Sequence, residues 1–178
     1  MTASALRRLP TAAALLAALS VAFVALAACS DAPSTASAVD FDRNTVCVLD
    51  GMTLADFPGP KAQIHYDQGS PEFFCDTREM FSIALRPEQK RRVTGLFTQD
   101  MGKADWTRPQ GHWIDARTAF YVVGSRLHGS MGPTVASFAS EADAQRFSAG
   151  QGGQVLRFEQ VTLDMVDLSG GATHDHKM

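Results

Sequence analysis

Residues 11–28 carry no charge and almost no polarity, and a cysteine follows them at once. Arg7 and Arg8 stand in front of the run, and no acidic residue occurs before Asp31. A positive head, an apolar stretch and a small-residue boundary make an export signal, which is removed rather than folded. The boundary, Leu26-Ala27-Ala28-Cys29, has the lipobox pattern at which bacterial signal peptidases cut before the cysteine is lipidated. An uncleaved anchor would use the same apolar run, but the small residues and the cysteine fit cleavage better. The folded body is therefore sought after residue 28, in an exported chain whose Cys29 is taken up by lipid.

Cutting there leaves 150 of the 178 residues, enough to bury a core without a disulfide framework. With 45% hydrophobic and 20% charged residues, the composition is that of a globular protein and not of a disordered or coiled-coil one. Lys and Arg fall from 16 to 14 against 19 Asp and Glu. That acidic balance, with no dense basic cluster, argues against nucleic acid as a partner. No second apolar stretch approaches the roughly 18 to 20 residues needed to span a bilayer, so the membrane is reached through lipid on Cys29. Ser30 after the lipidated cysteine, in place of Asp, points to the outer membrane and the periplasm of a Gram-negative cell. Small polar residues make 29–44 a tether. Residues 170–178, opened by Gly170-Gly171, have no periodicity and read as a flexible tail.

The body between them repeats itself. Phe74-Cys75-Asp76-Thr77-Arg78-Glu79 reads as a strand end followed by a helix start, with Asp76 as N-cap and Glu79 three residues on. Phe138-Ala139-Ser140-Glu141-Ala142-Asp143 repeats the pattern 64 residues later, with Ser140 as cap. The first helix is expected to stop near Arg86-Pro87, with room for a further turn over 88–92. The second is expected to close at Gly150 and Gly152-Gly153. Strand-like runs precede each helix, at 62–66 and 72–74 and at 119–123 and 134–138, and one follows each, at 93–98 and 155–158. Strand-strand-helix-strand, used twice, predicts an α+β fold of two related ββαβ units, 45–107 and 108–169.

No catalytic signature is present: no nucleophile elbow, P-loop, dinucleotide fingerprint or HExxH. Sulfur is the informative element. Once lipid takes Cys29, only Cys47 and Cys75 keep thiols, and in an exported protein two cysteines ordinarily make a disulfide. Cys47-Val48-Leu49-Asp50-Gly51-Met52, however, sets a thiol and a thioether five residues apart across a glycine that lets the backbone fold back. His128-Gly129-Ser130-Met131-Gly132-Pro133 offers another methionine among turn residues, with an imidazole three positions earlier. Methionines on helices fill cores, as expected of Met80. Thiolate and thioether donors together select Cu(I), whereas zinc prefers more Cys, His or carboxylate ligands. Packing is the expected role of His65 in its strand and of Met101 beside Trp106. His174, His176 and Met178 in the tail are further metal donors, of the kind that collect adventitious ions.

Residues 47–171 resemble the NosL family, copper-binding lipoproteins accessory to nitrous oxide reductase. The resemblance is carried by CVLDGMTLADFPGPKAQI, FFCDTREMF, DMGKADW, WIDARTAFYVVGS and HGSMGPTVASF. It implies a Cu(I)-binding periplasmic metallochaperone and not an enzyme, with two ββαβ units in a NosL/organomercurial lyase-like fold. Carried onto this sequence, the family's motifs fall on Cys47 and Met52 and on Met131 as copper ligands, with His128 and Cys75 as further candidates. Asp50 stands where many relatives have a second cysteine. The partners implied are nitrous oxide reductase and the NosD assembly protein with its ABC transporter. Two other readings of the residues stay open: thiol-disulfide or lyase-like chemistry at Cys47 and Cys75, and a structural lipoprotein with one disulfide.

Overall fold

The computed structural model describes residues 36–168; the expected leader, Cys29 with its expected lipid, and residues 169–178 lie outside them. Two copies of one element order follow each other. The first is β1 (Ala62–Tyr66), β2 (Glu72–Phe74), α1 (Thr77–Ala84) and β3 (Val93–Gln99). The second, after the short β4 (Trp113–Asp115), is β5 (Phe120–Gly129), β6 (Gly132–Phe138), α2 (Glu141–Gln151) and β7 (Gln154–Arg157). The first sheet has the order β2-β1-β3-β4 and the second β6-β5-β7, every pairing antiparallel. In each copy the first strand is central, and the pairs Ala62↔Phe74 and Phe120↔Phe138 put the copies in one register. The fold is α+β, with two ββαβ units of matching topology.

Both helices start where a capping side chain dictates. Asp76 accepts the Arg78 N–H at 2.8 Å, and Ser140 accepts the Asp143 N–H at 3.2 Å, each satisfying a donor that the first turn leaves without a partner. The first helix ends at Ala84, and beyond it only a turn forms at Pro87 and Glu88. Gly152 closes the second at φ 77°. One core serves both units. Phe81 of α1 meets Tyr121 of β5 edge-on at 4.8 Å and lies 5.1 Å from Phe158; each ring of this kind contributes roughly 1.5–3 kcal/mol by burial. Between the sheets runs a polar seam in which Thr98 contacts Thr77 and Ser137, both at 2.9 Å.

Three features differ from the sequence expectation. β4 pairs with the outer edge of β3, and its three residues are too few to show a pattern. β5 runs on to Gly129, because a register irregularity between Val123 and His128 carries the β5–β6 hairpin onward. Residues 39–41, placed in the tether by composition, dock against the body. The Gln63 side chain pairs with both the N–H and the carbonyl of Val39, Asp40 accepts from Trp113 Nε1 at 2.7 Å, and Phe41 is buried edge-on to Trp113.

Candidate metal centre

The stretch from Cys47 to Met52 folds back as its glycine requires. Gly51 sits at φ 74°, where a Cβ would be strained. The Cys47 N–H donates to the Met52 carbonyl at 2.8 Å and the Gly51 N–H to the Cys47 carbonyl at 3.0 Å. The Asp50 carboxylate accepts the Met52 N–H at 2.9 Å. A bond from Val48 N–H to the Phe73 carbonyl, 2.9 Å, fixes the turn on the β2 edge. β2 runs into Cys75 and the start of α1, so the two cysteines meet. Cys47, Cys75, Phe41 and Leu54 form one buried cluster, with Met52 packed against it.

One Sγ or carboxylate oxygen from each of Cys47, Asp50, Cys75 and Glu79 lies within 4.8 Å of the others. Both cysteines are free thiols. Cys47 Sγ–H donates to Glu79 Oε2 at 3.2 Å, and the Leu49 N–H points at the same sulfur at 3.4 Å. Cys75 Sγ lies 3.9 Å from Asp50 Oδ1. Glu79, an N3 carboxylate placed to complete a capping box, is buried and faces Cys47 instead.

Burial and charge divide the protons unequally. The Cys75 thiol donates toward Cys47 and, outweighing burial, brings the Cys47 pKa down to about 6. The same contact, then burial, drives Cys75 upward. Burial, reinforced by the Cys47 charge, pushes Glu79 up to about 8. Ionisation is thus eased at Cys47 and opposed at Glu79, so the carboxyl group is the favoured holder of a proton in this contact. Beneath them Lys61 is fully buried, its Nζ donating to the carbonyls of Pro58 and Cys75 at 3.1 and 3.0 Å. Burial lowers its pKa to about 8 against the pull of Asp76, Cys75 and Glu79.

Met131 reaches the same neighbourhood from the other unit. It stands at the tip of the β5–β6 hairpin, 47% exposed, and lines a small cleft with Asp76, Glu79 and Pro133. Gly129 makes this approach possible. A Cβ there would sit 2.1 Å from Asp76 Oδ2 and 2.9 Å from Thr134 Cβ, so only glycine lets the hairpin close on the start of α1. Thr134 Oγ1 completes the contact, donating to Asp76 Oδ1 at 2.6 Å.

A NosL family profile matches residues 38–166. The chain belongs to the NosL family. Over 143 residues it is 41% identical to the copper-binding lipoprotein NosL of Stutzerimonas stutzeri, covering 78% of this chain and 75% of that protein. The copper-binding lipoprotein NosL of Achromobacter cycloclastes is 43% identical over 121 residues, 65% of this chain and 62% of the relative. The crystal structure of the copper chaperone NosL from Shewanella denitrificans superposes with a TM-score of 0.68 at 37% identity, over 75% of this chain and 99% of that one.

Within this NosL fold the sequence-derived residues separate into groups. Cys47, Cys75 and Met52 share one cluster, and Met131 shares a cleft with Glu79. The His128 side chain is exposed on the hairpin arm, and its carbonyl accepts from Trp106 Nε1 at 3.2 Å. Met80 lies in the main core, and Met101 packs with Trp106 in a separate cluster. His65 bonds Gln63 at 2.6 Å within the sheet. Sequence reasoning missed Glu79 and Lys61 as neighbours of the thiols.

Proposed function

We propose that this protein is a periplasmic metallochaperone, held at a membrane by lipid on Cys29, which carries Cu(I) for the maturation of nitrous oxide reductase. Its receivers would be the apo-reductase or the NosD assembly protein with its ABC transporter. The observation that carries this reading is the convergence of two free thiols and two carboxylates within 4.8 Å. The names of the NosL relatives, copper-binding lipoprotein and copper chaperone, agree with it.

Cys47 is the primary ligand in this reading, because its thiol is the easier of the two to ionise. Met52 and Met131 add thioethers, with Cys75 as a second sulfur and His128 on the hairpin arm as a further candidate. Two soft sulfurs suffice for a monovalent soft cation. Thioethers bind without losing a proton, so the ion displaces at most one proton, that of the Cys47–Glu79 pair. A low coordination number lets a receiver's ligands enter before all the donor's ligands leave. Lipid attachment raises the local concentration of the carrier at the membrane. An enzyme working through the same thiols would need turnover on a small substrate; a carrier needs only reversible binding.

Competition against a Cu(I) chelator tests the assignment. Cys47→Ser and Met131→Leu are each expected to weaken binding at least about tenfold, or about 1.4 kcal/mol, with an unchanged circular dichroism spectrum. Equal affinity in the parent and both variants overturns the ligand assignment.

A further inference from the structure

The donors that meet at the start of α1 are more than a monovalent copper ion needs. Cu(I) is satisfied by the Cys47 sulfur and a thioether, whereas the side chains that come within 4.8 Å of one another are Cys47, Cys75, Asp50 and Glu79. Carboxylate is a poor ligand for a soft monovalent ion. Zn(II) accepts thiolate and carboxylate alike, four at a time and in a tetrahedron. Two thiols and two carboxylates are such a set.

The spacing agrees. With Zn–S and Zn–O bonds of about 2.3 and 2.1 Å, neighbouring ligand atoms of a tetrahedron stand about 3.4–3.8 Å apart. Cys47 Sγ lies 3.2 Å from Glu79 Oε2, and Cys75 Sγ lies 3.9 Å from Asp50 Oδ1. Each of three ligands is also steadied from behind, as metal ligands usually are. The Leu49 N–H points at Cys47 Sγ at 3.4 Å, the Met52 N–H donates to Asp50 Oδ1 at 2.9 Å, and Lys61 Nζ holds the Cys75 carbonyl at 3.0 Å. Both cysteines and Glu79 are buried while Asp50 is exposed, so an ion enters past Asp50. Charge points the same way. A coordinated thiol is deprotonated outright, so the four groups together carry four negative charges against the one positive charge of buried Lys61. A divalent ion leaves one charge uncompensated and a monovalent ion leaves two, and uncompensated buried charge is costly.

We propose that Cys47, Cys75, Asp50 and Glu79 form a tetrahedral Zn(II) site, which the protein fills when it carries no copper. All four coordination positions come from the chain, so the ion is held and no position stays open for a substrate. Met131 lies outside this set, 47% exposed on its hairpin. Cys47 belongs to both sets, and the two ions therefore exclude each other. That exclusion rests on the copper-carrier reading; the zinc site stands on the four side chains alone. The exchange moves ligands and protons only. Copper forms its bond to the Cys47 sulfur as the zinc bond to that sulfur breaks, zinc leaves its remaining ligands, and the groups left behind take protons from solvent. Neither metal changes oxidation state.

The test titrates the reduced, metal-free protein with Co(II), a spectroscopic stand-in for Zn(II), and then measures zinc affinity against a chromophoric zinc chelator. One equivalent of Co(II) is expected to give the intense visible bands of a tetrahedral ion together with sulfur-to-metal charge transfer. Asp50→Asn and Glu79→Gln are each expected to weaken zinc at least about tenfold while Cu(I) affinity stays within about threefold, and Met131→Leu is expected to do the reverse. Asparagine keeps an acceptor for the Met52 N–H, so the first variant leaves the turn intact. One equivalent of Cu(I) is expected to release the bound zinc to the chelator. The weak bands of octahedral Co(II), or zinc affinity unchanged in either carboxylate variant, overturn the four-ligand site and mark any zinc taken up as adventitious. A tenfold loss of Cu(I) in the carboxylate variants overturns the division of the two ligand sets, and zinc retained under Cu(I) overturns the exclusion. A protein that takes zinc with this pattern but binds no Cu(I) refutes the carrier reading and leaves the zinc site standing.

Discussion

The two ββαβ units set different side chains on matching backbone positions. With Ala62 opposite Phe74 in one and Phe120 opposite Phe138 in the other, Lys61 corresponds to Ala119, Cys75 to Ala139, Asp76 to Ser140 and Glu79 to Asp143. In the second unit the cap is local: Ser140 Oγ donates to Asp143 Oδ2 at 2.5 Å, and Asp143 pairs with the exposed Arg146. In the first unit the cap is buried and crosses between units, holding Thr134, while Glu79 turns to Cys47. The same helix start is thus built twice. Only the copy that buries its carboxylates beside a thiol and an ammonium group can shift protons, and the helix N-terminus favours negative charge there.

The largest break in this comparison is expected from Asp76→Ala. The side chain is 4% exposed, caps α1, accepts from Thr134 and opposes the buried Lys61 charge. Its removal leaves the Thr134 hydroxyl without its acceptor and the buried Lys61 charge, still bonded to two carbonyls, without its counter-charge, at a cost of about 3–5 kcal/mol. Urea denaturation of the reduced, metal-free protein measures it. A loss of only about 1 kcal/mol, the ordinary value of a cap, would make the two helix starts energetically alike.

That contrast marks how far the sequence could be read. The strands 62–66 and 72–74 fall where β-branched and aromatic residues place them, and both caps are legible because Asp and Ser before an apolar helical pattern have one economical use. The return at Gly51 and the turn at Met131 follow from glycines. Glu79 was not legible as a site residue, since a carboxylate at N3 normally reaches back to its own cap. Its direction is decided by the Cys47 turn, which arrives from 32 residues away. Lys61, after Pro60 and before a strand, looks like a surface residue. Only the packing of α1 and the 47–52 turn around it makes it internal.

A smaller effect is expected from Glu79→Gln, and it takes the form of a pH dependence. Glu79 ionises at about 8 in the folded chain against 4.5 ordinarily. Its stabilising contribution is therefore complete below about pH 4.5 and is lost as pH rises through about 8. Asp76, raised from 3.8 to about 6, acts with the same sign over its lower window. Cys47, lowered from 9.0 to about 6, acts oppositely, adding stability as pH rises from about 6 to 9. Glutamine removes only the Glu79 contribution. The stability of the variant relative to the parent is thus expected to grow steadily between about pH 4.5 and 8, read from urea midpoints of the reduced apo proteins. A constant difference across that range would mean that Glu79 titrates as a surface carboxylate and shares no proton with Cys47.

The smallest effect belongs to the second unit. Ser140→Ala removes one N-cap bond, worth about 1 kcal/mol, and strands no buried charge, because the carboxylate it meets is already paired with Arg146 at the surface. Affinity for Cu(I) in the chelator competition is expected to stay within about twofold of the parent, since α2 packs through Ala144 in a cluster with Val122, Ala136 and Phe138, separate from the thiol cluster. The second unit meets the metal centre through the β5–β6 hairpin, whose tip carries Met131 and whose Gly129 and Thr134 abut Asp76. A Ser140→Ala variant that lost copper affinity by tenfold would show that the hairpin depends on the helix behind it. The second unit would then be part of the binding machinery and not the support on which one arm of it is mounted.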